Sequence, residues 1–282
     1  MSKKILEGKT VVITGGNRGL GWVMANAVAS EGANVAIVAT YKSDILGVAS
    51  NLESTHGKGC ALGIVADVSD DHSSENAVSD VREYFGHVDV LINNAAIGPD
   101  VTSSDYKISP AKFWEVGGSL WRRALLVNTY GPQRMAQLVI PGMLEQGWGR
   151  IINITTSLDT MYMIDGGAYG PSKAALEAHT FVMARHLEGS GVTANVLIPG
   201  GLADTRVVPP SVRSSRVPII PADIMCEPTI WLVSDNSNGI NGMRFIALRW
   251  DASLPLDERI TKAGAPAAWP QLGSQAVDPP RN

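Results

Sequence analysis

Thr10-Val11-Val12-Ile13-Thr14-Gly15-Gly16-Asn17-Arg18-Gly19-Leu20-Gly21 spells a strand, a glycine turn and the start of a helix. The residues from Thr10 to Thr14 are all β-branched, which predicts a buried strand, because such side chains pack well on a pleated surface. The glycines that follow permit a tight turn and a close approach of backbone to a ligand. From Leu20 to Ser30 the chain is rich in alanine and valine and predicts a helix. A helix that opens in such a turn presents free N–H groups and the positive end of its dipole, a natural seat for a pyrophosphate. The three pieces in this order predict dinucleotide binding.

Working outward, the same alternation repeats. Strands are predicted at Asn34 to Ala39, Ala61 to Ala66, Val88 to Asn93, Arg150 to Thr155, Thr193 to Ile198 and Phe245 to Leu248. Helices are predicted at Ile45 to Thr55, Ser73 to Phe85, Leu125 to Leu144 and Ser172 to Glu188. Short apolar strands separated by helices predict a parallel sheet of about seven strands, doubly wound, with helices on both faces. Ligands of such sheets bind at the carboxyl ends of the strands.

Composition fits one such domain. The chain has 282 residues, 45% of them hydrophobic, enough to bury a full core. A net charge of −4 gives no sign of a nucleic-acid partner or of an anionic membrane surface. Cys60 and Cys226 stand alone, with neither a disulfide framework nor metal-ligand spacing, and suit a reducing compartment. The charged segment from Met1 to Lys9 lacks a signal-peptide core, and no apolar run reaches spanning length. A soluble, cytoplasmic protein with no metal site is expected. Residues 1–250 are read as a single catalytic domain and 251–282 as a tail packing on it or on a neighbouring subunit.

The motifs, taken together, resemble a known family. TGxxxGxG at Thr14 to Gly21, Asp67-Val68 after the third strand and Asn93-Asn94-Ala95-Ala96 after the fourth are three of them. Asn128 in the next helix, Tyr169-Gly170-Pro171-Ser172-Lys173 as YxxxK and Pro199-Gly200 after the sixth strand complete the series. Their order is that of the short-chain dehydrogenases/reductases, in the single-domain branch, and the resemblance covers roughly residues 6 to 248. It implies a Rossmann-type fold and hydride transfer between a nicotinamide and a ketone/secondary alcohol pair. It also implies assembly as a homodimer or homotetramer, usually through the catalytic helix and the final strand.

The resemblance assigns Gly15, Asn17, Arg18, Gly19, Leu20 and Gly21 to the cofactor, with Asp67 and Val68 beside the adenine. Asn94, Ala95, Pro199, Gly200 and Leu202 join them, Pro199 to Thr205 resembling PGxVxT with one extra residue. Where the second strand ends, an acidic residue would accept from the ribose 2′-hydroxyl and repel a 2′-phosphate. Ala39 stands there, followed by Thr40, Tyr41 and Lys42, with no carboxylate before Asp44. Arg18 offers a guanidinium, Thr40 a hydroxyl and Lys42 a further charge. This balance favours NADP(H), with NAD(H) the alternative.

Tyr169 and Lys173, four residues apart, share one helix face. A neighbouring ammonium is expected to lower the phenol's pKa and suit it to proton transfer. Lys173 also binds the nicotinamide ribose in the family. The hydroxyl that polarises the substrate oxygen comes from Thr156 or Ser157. The family's interval before the tyrosine selects Thr156 and its residue type selects Ser157, to which the reading leans. Asn128 matches the asparagine that kinks its helix and supports a proton relay.

Two segments break the alternation. The gap from Asn94 to Asn128 is longer than usual in the family, and its segment Pro99 to Leu120 contains Tyr106, Phe113 and Trp114. Ala203 to Ala222 carries four prolines and Arg206, Arg213 and Arg216. With Met161, Tyr162 and Met163 ahead of Tyr169, these segments predict a fairly hydrophobic substrate pocket. The arginines suit either solvent or an anionic substrate. The expected activity is carbonyl reduction of a small molecule. An NAD-dependent alcohol or sugar dehydrogenase, an epimerase or dehydratase, and a cofactor-binding protein without turnover are the competing readings.

Overall fold

The computed structural model describes residues 4–164 and 167–273. Its main sheet is built from β1 (Thr10–Thr14), β2 (Asn34–Ala39), β3 (Ala61–Val65), β4 (Val90–Asn93), β5 (Gly149–Ile154) and β6 (Val192–Ile198). After the short β7 (Leu202–Ala203) and β8 (Ile219–Ile220), which pair with each other, come β9 (Met243–Ile246) and β10 (Gly264–Pro266). The sheet order is β10-β9-β6-β5-β4-β1-β2-β3, parallel except that β10 runs antiparallel to β9. Strand order reverses between β1 and β4, so a crevice opens at the carboxyl ends of these two strands.

The helices are α1 (Gly19–Ser30), α2 (Lys42–His56), α3 (Asp71–Phe85), α4 (Gly118–Leu125), α5 (Gly131–Gln146), α6 (Leu158–Met161), α7 (Tyr169–His186), α8 (Pro210–Arg213), α9 (Cys226–Leu232) and α10 (Leu256–Ala263). Alternation along the strands splits the core in two. Val11 and Ile13 pack with Met24 and Val28 of α1 and Leu232 of α9 on one face. Val12 and Leu91 pack with Val78 of α3, Met135 of α5 and Met183 of α7 on the other. Strands buried on both faces read as continuous apolar runs, which is why they were legible.

The stretch expected as one long helix from Leu125 is three elements: α4, a π-helical turn over Leu126–Tyr130, and α5. The sheet has eight strands where about seven were expected, because the tail folds back and adds β10. Trp250 does not reach the cleft; it packs on Trp231 at 4.8 Å and on Phe245 at 6.5 Å between ring centres. Of the two irregular segments, the second is clasped at its base by β7 and β8, and Ser211 ties it to the first through Asp105. Among the described residues, no helix is long and apolar enough to cross a membrane.

Candidate active site

The crevice is a cleft of about 960 Å³ whose walls carry Gly15, Asn17, Arg18, Gly19, Leu20, Asp67, Val68, Asn94 and Ala95 at one end. Thr156, Ser157, Tyr169, Lys173, Pro199, Gly200 and Leu202 line it further along. Thr40 lines it too, whereas Lys42 stands exposed in the first turn of α2, outside the lining.

The glycine turn is shaped by two requirements. Gly15 has φ +64°, and a Cβ there would lie 2.9 Å from Ala95 Cα. A Cβ on Gly21 would lie 2.2 Å from the Gly15 carbonyl oxygen. Only a turn free of side chains leaves this cradle open. Asn94 fastens it from β4, its amide donating to the carbonyls of Thr14 and Gly15, each at 3.0 Å. The Thr14 hydroxyl accepts in return from the N–H groups of Asn94 and Ala95. The N-terminus of α1 has no side-chain cap and no acidic residue in its first turn. Its N–H groups therefore remain for an anionic group, and the cradle fits a dinucleotide diphosphate.

At the glycine-turn end, the Arg18 side chain is exposed and, among the described residues, has no ion-pair or hydrogen-bond partner. Asp44 lies off the cleft, within 3.5 Å of the Asn17 amide. Asp67 pairs with Arg123 at 2.5 Å. Burial pushes its carboxyl up, but hydrogen bonds from Ser69 and Arg123 outweigh that and hold it below the usual range. Arg123 also lines the cleft and was not foreseen, being separated from Asp67 by more than fifty residues of chain.

At the other end, Tyr169 opens α7 and keeps part of its surface toward the cleft. Loss of water around the phenol pushes it up to about 12, against the pull of a hydrogen bond with Thr156. Lys173 is buried, and desolvation lowers its ammonium to about 7. Its Nζ donates to the Ile154 carbonyl at 2.7 Å and lies 5.9 Å from the Tyr169 ring centre. The expected lowering of the phenol by the ammonium is thus absent from the chain by itself, because burial costs both groups their charged forms.

The two candidate hydroxyls part company. Thr156 faces Tyr169, while the Ser157 hydroxyl shares a hydrogen with Thr160 at 2.8 Å, just ahead of α6. Asn128 is fully buried in the π-helical turn. Its carboxamide accepts from the Ile97 N–H at 2.8 Å and donates to the Ile97 carbonyl and to Ser172, each at 2.9 Å. It therefore pins the end of β4 to α7. Such π-turns recur at functional sites.

The cleft continues past Tyr169 between Ile97, Val101, Tyr106, Met163 and Val207. Met161 is buried, and Phe113, Trp114 and Tyr162 are exposed outside the lining. Arg206 lines the cleft, whereas Arg213 is spent on Asp204 at 2.5 Å and on the Thr205 carbonyl at 2.7 Å. Thr205 itself reaches the wall beside Gly19.

A parallel sheet with a glycine cradle at its switch point and a Tyr–Lys pair beside it defines a nucleotide-dependent oxidoreductase. The short chain dehydrogenase family model matches residues 9–214. The chain is 32% identical over 219 residues to the ketoacyl reductase HetN of a Nostoc species, covering 76% of this chain and 72% of that one. It is 31% identical to the 3-oxoacyl-(acyl-carrier-protein) reductase FabG of Vibrio cholerae, over 79% of this chain and 86% of that one. It is 30% identical to the 2,5-dichloro-2,5-cyclohexadiene-1,4-diol dehydrogenase LinX of Sphingobium indicum, over 84% and 94%. A crystal structure of a short-chain dehydrogenase/reductase from Mycobacterium marinum superposes with a TM-score of 0.75 at 25% identity, over 86% of this chain and 95% of that one. The chain belongs to the short-chain dehydrogenase family. It is an NAD(P)-dependent oxidoreductase acting on alcohol and carbonyl groups.

Proposed function

We propose that this protein is an NADPH-dependent carbonyl reductase for hydrophobic ketones, with its catalytic groups within residues 1–250 and the following tail packed on them. The observation that carries the reading is the Tyr169–Thr156 pair, a phenol facing a second hydroxyl at the head of an apolar-walled cleft. A phenol paired with a second hydroxyl can give its proton to a carbonyl oxygen held between them, which is what reduction of a carbonyl needs. The names of relatives that reduce oxoacyl groups favour the same direction.

Gly15, Asn17, Gly19, Leu20 and the N-terminus of α1 would hold the diphosphate, with Asp67, Val68, Asn94 and Ala95 around the adenosine. Pro199, Gly200 and Leu202 would hold the nicotinamide end, and Lys173 its ribose. The bound nicotinamide supplies the hydride. Thr156 donates a hydrogen bond to the carbonyl oxygen and holds it beside Tyr169. Tyr169 then donates its proton to that oxygen as negative charge develops on it. Asn128 keeps the β4 end and α7 in register, and its place in the π-turn supports a part in reprotonating Tyr169.

NADPH is favoured because Arg18 and Thr40 line the cleft and Asp67, which lines it too, is already paired with Arg123. Ile97, Val101, Tyr106, Met163 and Val207 favour a substrate with an apolar body. Fluorescence titration with NADPH and NADH, followed by a panel of aromatic ketones, β-keto esters and polyols, tests the reading. Tighter NADPH binding and preference for the apolar ketones are expected; NADH preference or polyol turnover would refute it. We also propose a homodimer or homotetramer. Leu126, Tyr130 and Val182 are exposed on the helical side, while β10 covers the outer edge of β9, so the helices are the favoured contact. Light scattering on the eluted protein checks this, a monomer being the contrary result.

A further inference from the structure

Behind the cleft lies a buried ion pair that hydride transfer does not itself require. Glu177 on α7 is fully buried, and Arg244 on β9 has a side chain only 12% exposed. Arg244 Nε lies 2.9 Å from Glu177 Oε1. Glu177 Oε2 accepts from the Thr155 hydroxyl at 3.1 Å. Arg244 Nη2 donates to the Thr156 carbonyl at 3.2 Å. Burial pushes the Glu177 carboxyl up, against the pull of Arg244, Thr155 and the backbone N–H of Ala268, in the tail just past β10. That stretch is itself anchored, Ala267 N–H donating to the Gly242 carbonyl at 2.9 Å.

The geometry is that of a clamp. Tyr169, Lys173 and Glu177 fall at successive four-residue intervals on α7 and so form one stripe. Lys173 holds the carbonyl of Ile154, Glu177 the hydroxyl of Thr155, and Arg244 the carbonyl of Thr156. Three consecutive residues at the end of β5 are thereby fixed against the helix that carries Tyr169. A buried ion pair is a poor source of net stability, since desolvation offsets much of the attraction. A pair with little net stability to give, placed where it grips the residue facing Tyr169, fits a role in placement.

We propose that Glu177 and Arg244 are positioning residues that set the Thr156 hydroxyl against Tyr169. The inference rests on Thr156 being the substrate-polarising hydroxyl. It differs from that reading in placing the control of geometry on residues that touch neither substrate nor cofactor.

The test uses the full chain, NADPH and whichever ketone of the panel the parent reduces fastest. Arg244→Met and Glu177→Gln are compared with the parent for kcat, KM, NADPH affinity and melting temperature. Both are expected to lower kcat by about tenfold to a hundredfold, the loss typical of disturbed positioning, with NADPH affinity within about twofold. Arg244→Lys, which keeps a charge beside Glu177, is expected to recover part of it. Glu177→Gln preserves shape, so it decides the matter if Arg244→Met does not fold. In a Thr156→Ala background, Arg244→Met is expected to add little further loss, because the hydroxyl it places is gone. Unchanged kcat in both folded variants, or a full additional loss on top of Thr156→Ala, would overturn the clamp. A Thr156→Ala enzyme with parental kcat would instead sink the underlying assignment of the hydroxyl, and a parent that reduces no ketone would remove both.

Discussion

The two ends of the cleft are made differently. The nucleotide end is backbone and strand termini: a glycine turn that no side chain can enter, an uncapped helix start, and Asn94 stitching β4 to β1. The carbonyl end is side chains on irregular loops, with Val101 and Met163 partly open to solvent and Ile108, Phe113 and Trp114 exposed nearby. Backbone geometry tolerates few sequences, while a loop wall tolerates many. The difference teaches that the cofactor end states its chemistry and the carbonyl end states only a polarity. Between them sits the Tyr169–Thr156 pair, which belongs to both.

Four variants probe that division. Tyr169→Phe sits at the junction and has the largest expected effect, a drop in kcat of about 100- to 10,000-fold, the usual worth of a general acid. NADPH affinity by fluorescence should stay near the parent's, and retained turnover would remove the central assignment. Arg18→Ala probes the nucleotide end. A lost charge-assisted contact to a 2′-phosphate is expected to weaken NADPH binding by roughly 10- to 100-fold and to leave NADH nearly unchanged. Equal weakening of both would show that Arg18 does not read the phosphate.

Met163→Ser probes the carbonyl wall. It should lower kcat/KM for an aromatic ketone by about tenfold, in line with the loss of an apolar pocket contact, while NADPH binding holds. An unchanged ketone preference would move the substrate body elsewhere in the cleft. Phe113→Ser is the smallest: the side chain is 77% exposed and outside the lining, so kcat/KM should stay within about twofold. A large loss there would mean that the loop closes over the substrate and that the carbonyl end is more ordered in the working complex than the division implies.

Much of the fold was legible because its strands are buried on both faces. Val11 to Thr14 and Val35 to Ala39 carry unbroken apolar or β-branched runs, and the parallel order follows from the helices between them. A kink at Asn128 was legible only through the family resemblance, since the local pattern continues as helix across it; buried hydrogen bonds to Ile97 and Ser172 impose the π-turn. The choice between Thr156 and Ser157 was not legible. Their neighbourhoods in sequence are nearly the same, and only the direction in which the chain leaves β5 turns one hydroxyl to Tyr169 and the other to Thr160. Lys42 shows the converse: a cation at a suggestive position that the first turn of α2 carries away from the cleft.

Local chemistry was enough for the elements, their parallel order, the glycine cradle and the shared helix face of Tyr169 and Lys173, because each depends on near neighbours: β-branching, glycine's missing Cβ, and four-residue helix spacing. The pairing of Asp67 with Arg123, the grip of Glu177 and Arg244 on Thr155 and Thr156, and the return of the tail as β10 are decided only by the folded chain. Those contacts join residues far apart in sequence. Their strength comes from shared burial, which no local pattern of residues records.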